Sequence, residues 1–129
     1  MRAFVYLKIT DNNEFAFENK MINWVKSNLP QVICFDLDGS SSAELFQYAQ
    51  QLLAESAQSI VLVETDGTIG LSKAAGWLEK SIKKNNLLKI ILSGKSSPFL
   101  GVLIKKYPQQ IIAVDSEAES QNEMKKIWN

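Results

Sequence analysis

The residues able to do chemistry in this chain are carboxylates, hydroxyls and one lysine, gathered in short polar runs that each follow or end an apolar stretch. Thr10-Asp11 is the first run, Asp36 and Asp38 with Gly39-Ser40 the second, and Glu64 and Asp66 with Gly67 the third. Ser93-Gly94-Lys95 is the fourth, and Asp115 with Glu117 the fifth. Acids grouped in this way bind a divalent cation such as magnesium, or raise one another's pKa, sooner than they hold a bare phosphate. Histidine is absent from all 129 residues. Its absence removes the commonest general base, the usual hydrolase triad and most zinc and iron sites at once. Any catalysis must then be carboxylate or lysine chemistry. The same acids and serines also make helix caps and turns, so each chemical reading stands beside a purely structural one.

What must position these runs is a repeated plan of apolar strand, polar loop and amphipathic helix. The segment Ser59 to Gly67 is the centre of it: Ile60-Val61-Leu62-Val63 is four apolar residues, three of them β-branched, as a strand covered on both faces requires. The first strand is expected over Ala3 to Thr10, with Phe4, Tyr6 and Lys8 on one face and Val5, Leu7 and Ile9 on the other. An Asp11-x-x-Glu14 capping box then opens a helix with Phe17, Met21, Trp24, Val25 and Leu29 on one stripe, ended by Pro30. The second strand runs Val32 to Leu37. Ser41 and Glu44 cap a helix reaching about Ala57, with Leu45, Phe46, Ala49, Leu52 and Leu53 buried. After the central strand a third helix buries Leu71, Ala74, Ala75, Leu78 and Ile82 and ends near Asn85-Asn86. The fourth strand is expected over Leu87 to Leu92 and a short helix from Pro98 to about Tyr107. The fifth strand spans Gln110 to Val114, and a last helix carries Met124, Ile127 and Trp128.

Five strands alternating with five helices predict a single α/β domain over residues 1–129, a doubly wound three-layer sandwich on a parallel sheet. The flavodoxin-like order 2-1-3-4-5 is the first choice. A Rossmann-like order 3-2-1-4-5 stays open, because the second strand is as apolar as the third and an edge position does not need that. Fourteen basic residues balance fourteen acidic ones, which argues against a nucleic-acid or anionic-membrane partner. Cys34 is the only cysteine, so no intrachain disulfide forms, and its place in Val32-Ile33-Cys34-Phe35 reads as a buried, inert thiol. The apolar start is too short for a signal peptide, and no run approaches the roughly 20 apolar residues of a membrane span. A soluble cytoplasmic protein is expected.

In an open parallel sheet the ligand crevice lies outside the carboxyl ends of the strands, which sends all five polar runs to one rim. Length, element count and rim acids together resemble the receiver domain of response regulators. In that family a carboxylate pair after the first strand and an aspartate ending the third hold magnesium and accept a phosphoryl group; a Ser or Thr ends the fourth strand and a lysine the fifth. The resemblance implies Asp11 as one of the pair, Glu64 or Asp66 at the acceptor position, Asp11 and Asp66 as magnesium ligands, and Ser93 as the hydroxyl. The family lysine is missing, since the fifth strand ends in Asp115. That departure suits a degenerate receiver that signals through contacts, with Glu64 as a permanently charged substitute. A second, local resemblance joins Val32 to Ser40, with Asp36-Leu37-Asp38-Gly39, to the first motif of haloacid dehalogenase-like phosphatases, and Ile90 to Lys95 to their second. It implies Asp36 as nucleophile, Asp38 as acid and base, Ser93 as phosphate ligand, Asp115 as the late acid, and magnesium. The chain departs from that family by running straight from Ser40 into a helix where a flap is inserted. Gly94-Lys95-Ser96 is similar to the end of a P-loop, but Lys89 stands where the earlier glycine belongs. What survives is Lys95 beside a helix start able to hold one anion.

Trp77, Tyr48 and Trp128 lie beside or off the helix stripes, and any of them exposed favours a protein partner. The lysine pairs 83–84, 105–106 and 125–126 fall near helix ends, where they complement the dipole. No complete catalytic set assembles from these runs. The chain is therefore expected to be a non-catalytic, receiver-like regulatory or protein-interaction domain with no required cofactor, magnesium being the one candidate ion, and with a protein partner or a homodimer. The alternative is a magnesium-dependent phosphoryl-transfer enzyme using Asp36 and Asp38.

Overall fold

Residues 2–9, 20–29, 31–38, 41–65, 71–94 and 98–128 are described by the structure, a computed structural model. At its centre β3 (Gln58–Thr65) keeps Ser59 through Val63 buried. Its β-branched side chains fill the pleat on both faces, which is why this stretch takes the middle of the sheet. It pairs in parallel with β1 (Arg2–Ile9) on one side and β4 (Lys89–Gly94) on the other. Beyond β1 lies β2 (Val32–Asp38), and beyond β4 lies β5 (Ile111–Val114). The sheet is wholly parallel in the order β2-β1-β3-β4-β5. This is the flavodoxin-like order, and the Rossmann-like alternative is set aside.

Five helices cover the sheet in two layers: α1 (Lys20–Asn28), α2 (Ala43–Glu55), α3 (Leu71–Lys84), α4 (Pro98–Lys106) and α5 (Glu117–Trp128). One face of the sheet (Phe4, Tyr6, Ile60, Leu62, Ile91, Val114) packs under α1 and α5 through Met21, Val25, Met124 and Trp128. The other (Val5, Leu7, Val61, Val63, Ile90, Leu92) packs under α2, α3 and α4. Lysine pairs occupy the last turns of α3, α4 and α5, as read from the sequence. Among the described residues no helix is long and apolar enough to cross a membrane.

Several local expectations are corrected. Ser42, one residue later than expected, caps α2, its Oγ accepting the Leu45 N–H at 3.3 Å. Ser41 instead closes onto the end of β2. The helix stops at Glu55, where Ser56 forms the C-cap and Asn85 donates to the Leu53 and Ser56 carbonyls at 3.0 and 3.1 Å. Leu45 does not join the buried stripe of Phe46, Ala49, Leu52 and Leu53 but is 44 % exposed. The strand β4 begins at Lys89, because Asn85 Oδ1 accepts the Leu87 N–H at 3.0 Å and holds a turn there. Trp77 and Trp128 are buried. The Trp77 Nε1–H donates to the Phe46 carbonyl at 2.9 Å, tying α3 to α2. The Asp11–Glu14 cap, Phe17, Pro30 and the side chain of Leu71 lie outside the described residues.

The second strand resolves the tension in its own composition. Of its seven residues only Leu37 is buried. Val32, Cys34 and Phe35 are half-buried, and Ile33 is 44 % exposed. An edge strand has one covered side, so its apolar content is in part left uncovered.

Candidate functional site

Register decides which rim residues meet. Across the carboxyl end of the sheet one row reads Asp38, Lys8, Glu64, Ser93, Val114. Side chains two residues apart share a face, so this row lies on the α1/α5 side, one step beyond Asp36, Tyr6, Leu62 and Ile91. At its middle the Tyr6 hydroxyl donates to Glu64 Oε2. Tyr6 and Glu64 reach each other diagonally, because Tyr6 is registered with Leu62, two residues before Glu64. Glu64 is half-buried, and its carboxyl pKa is raised above the ordinary 4.5, first by burial and then by the charge of Glu117 at the start of α5. Ser93 sits on the next strand in register with Glu64 and is half-buried. Glu64, Tyr6 and Ser93 therefore form one polar patch, with Lys8 flanking it.

Asp36 and Asp38 do not join that patch. Both are exposed on the edge strand. Three strand intervals separate Asp38 from its row-mate Ser93, about 14 Å at the usual spacing. No single phosphate reaches both. Asp38 is also occupied as a turn former: its N–H donates to Ser41 Oγ at 3.0 Å and its carbonyl accepts the Ser41 N–H at 3.1 Å. Asp115 serves a cap in the same way, its N–H donating to Glu119 Oε2 at 3.1 Å while Ser116 Oγ accepts the Glu119 N–H at 3.2 Å.

Gly94 has a structural reason to be glycine. Its φ is +106°, and a Cβ there would come 2.0 Å from the Thr65 carbonyl oxygen. The Ser93-Gly94 pair thus marks a close approach of β4 to β3. Asp11, Asp66 and Lys95, the remaining candidate ligands, lie outside the described residues. Among the described residues no cluster of three or more acidic or cysteine side chains could hold a metal ion.

A second feature was not legible as a site. Along the free margin of β2, Ile33 and Phe35 point to the α2 side of the sheet, and Phe35 meets Tyr48 with ring centroids 5.3 Å apart. Tyr48 is 59 % exposed, and Leu45 lies one helical turn before it on α2. These four side chains make an apolar margin. The sequence signal was the surplus apolarity of β2, which reads equally well as a buried interior strand. The open groove between α2 and α3, lined by Gln47, Gln50, Gln51, Glu55 and Lys84, offers amides and no convergent reactive groups. Comparison of the chain with protein-family models, with curated proteins and with solved structures finds no match in any of the three.

Proposed function

We propose that this chain is a non-catalytic regulatory domain of receiver-like type that acts by contact with protein. The observation that carries the reading is the margin of Ile33, Leu45 and Tyr48, three large exposed apolar side chains beside the half-buried Phe35 along one edge of the sheet. Exposed apolar surface of this kind is characteristic of a face that another protein covers. The rim supports the same reading. Glu64, one of the two acids matched to the acceptor position of the receiver family, is already engaged by the Tyr6 hydroxyl, as suits a fixed acid better than a phosphoryl acceptor. The phosphoryl-transfer alternative requires Asp36, Asp38 and Ser93 around one phosphate with magnesium, and the strand order separates them.

Incubation with magnesium and acetyl phosphate, read by intact mass, tests the non-catalytic part. The expected outcome is an unmodified chain. A stoichiometric phosphoryl adduct on Asp66 or another rim carboxylate contradicts the reading. Turnover of a generic phosphomonoester that is lost in Asp36→Asn would establish the alternative instead.

A further inference from the structure

We propose that the face at the C-terminal ends of α3 and α4 docks an acidic segment of a protein partner, its carboxylates among Lys83, Lys84, Lys105 and Lys106 and an apolar side chain on Leu87. The inference rests on the protein-contact reading and adds the chemistry of a partner at a second face. The fold itself gathers the charge. In a wholly parallel sheet each connection must bring the chain back from the carboxyl end of one strand to the amino end of the next, so the connecting helices end at the amino-end base. The last helix, α5, runs the same way, bringing Trp128 onto Phe4 near the start of β1. Four of the five helices carry lysine in the last turn, whereas Glu44, Glu117 and Glu119 stand in first turns. Charge that balances over the whole chain is therefore sorted between its two ends.

Beneath α3 and α4 this base already holds a carboxylate. Glu79 Oε1 lies 2.7 Å from Lys106 Nζ and 3.4 Å from Lys83 Nζ, and the Tyr107 hydroxyl donates to it at 3.3 Å. The Glu79 carboxyl pKa is lowered, first by the hydrogen bond from Lys106. Lys84 and Lys105 are exposed beside them and enter no ion pair among the described residues. Lys89 Nζ donates to the Gln109 carbonyl at 2.9 Å, which draws the turn before β4 against the turn before β5. In the first of these turns Leu87 is 64 % exposed, and Asn85 fixes it there by accepting the Leu87 N–H on Oδ1 and the Leu88 N–H on its carbonyl. Three observations favour carboxylates on an apolar-bearing chain over phosphates. The cations are lysines, whereas two-pronged phosphate recognition favours arginine; Arg2, the one arginine, donates to Gln58 instead. Among the described residues no aromatic of this face is exposed for a base to stack on, since Tyr107 is half-buried with Lys106 over its ring. Leu87 finds nothing apolar on a phosphate backbone, and the one leucine at the tip of its turn is little for a bilayer, which binds through a broad apolar face.

Fluorescence anisotropy of the full chain with a labelled peptide of mixed glutamate and leucine tests this, in about 0.15 M salt, where exposed charges beyond about 8 Å are screened. Binding with a Kd on the order of 10 μM is expected. Replacing the peptide's leucines by serine should weaken it about tenfold, as should Leu87→Ser in the protein. Lys84→Glu with Lys105→Glu alters two exposed, unpaired side chains, so the variant should stay folded by circular dichroism and lose binding about tenfold or more. Glu79→Gln removes the carboxylate that occupies Lys83 and Lys106 and should tighten binding about threefold. Lys26→Glu on α1 and Tyr48→Lys on α2 should leave the Kd unchanged. A chain that ignores the peptide, binding untouched by the double variant, or an equal loss in Lys26→Glu overturns the inference. Tighter binding of single-stranded DNA of the same charge, or of vesicles of phosphatidylserine and phosphatidylcholine, overturns it too and assigns the face to phosphate. A phosphoryl adduct after acetyl phosphate refutes the underlying reading whatever the peptide does; no peptide binding and no adduct refutes this inference alone.

Discussion

At the scale of single residues, Glu64 and Gly94 carry the sharpest expectations. The Glu64 carboxyl is held above its ordinary pKa by burial and by Glu117, so the folded chain keeps that proton to higher pH than the unfolded chain does. The stability tied to it is fully present below the unfolded value and is lost as pH rises through the raised folded value. Glu64→Gln keeps an acceptor for the Tyr6 hydroxyl and removes the titration. Thermal melts should therefore find the variant close to the parent near pH 4.5, the ordinary value, and increasingly more stable than it toward neutral pH. Equal pH profiles would contradict the assignment. For Gly94, a side chain would strike the Thr65 carbonyl and the backbone is in a region L-residues avoid. Gly94→Ala should cost about 3 kcal/mol in urea denaturation. The glycine was visible in the sequence, but its reason was not, since a phosphate loop and a close strand approach ask for the same residue.

Among the elements, legibility followed how far each depends on distant parts of the chain. The central strand was readable because Ile60 to Val63 is apolar at every position, with three β-branched residues, as an interior place asks. Helix stripes were readable to within a residue or two. The cap of α2 was missed by one because Ser40, Ser41 and Ser42 are chemically alike, and only the closure of Ser41 onto Asp38 decides between them. The exposure of Ile33 and Leu45 was not readable. It follows from β2 taking the edge, which the strand's own residues do not dictate. Contacts between elements were likewise hidden: Asn85, read only as a helix end, satisfies the Leu53 and Ser56 carbonyls near the end of α2. Terminal carbonyls of a helix need such partners. Asn85→Ala should lower stability by about 1–2 kcal/mol, measured by chemical denaturation, and a change below a few tenths would show that water replaces the amide at no cost.

For the whole molecule, the strand order governs what the rim can do. With β1 lying between β2 and β3, Tyr6 and Glu64 come together, whereas Asp36 and Asp38 stay on the margin, away from Ser93. Fold class was legible from the alternation of elements; the flavodoxin-like order was only the first choice, because the apolarity of β2 left the Rossmann-like order open until the register was known. The site was legible only in part, because residue spacing along the chain does not report register across the sheet. The same order leaves β2 and the adjoining face of α2 as an apolar margin, the surface proposed to bind protein. A photo-crosslinking side chain at Tyr48, compared with one at the exposed Asn122 on α5, tests that claim in the cell. Protein adducts, from this chain or another, are expected at position 48 and none above background at position 122. Equal labelling at the two positions, or none at either, would contradict it.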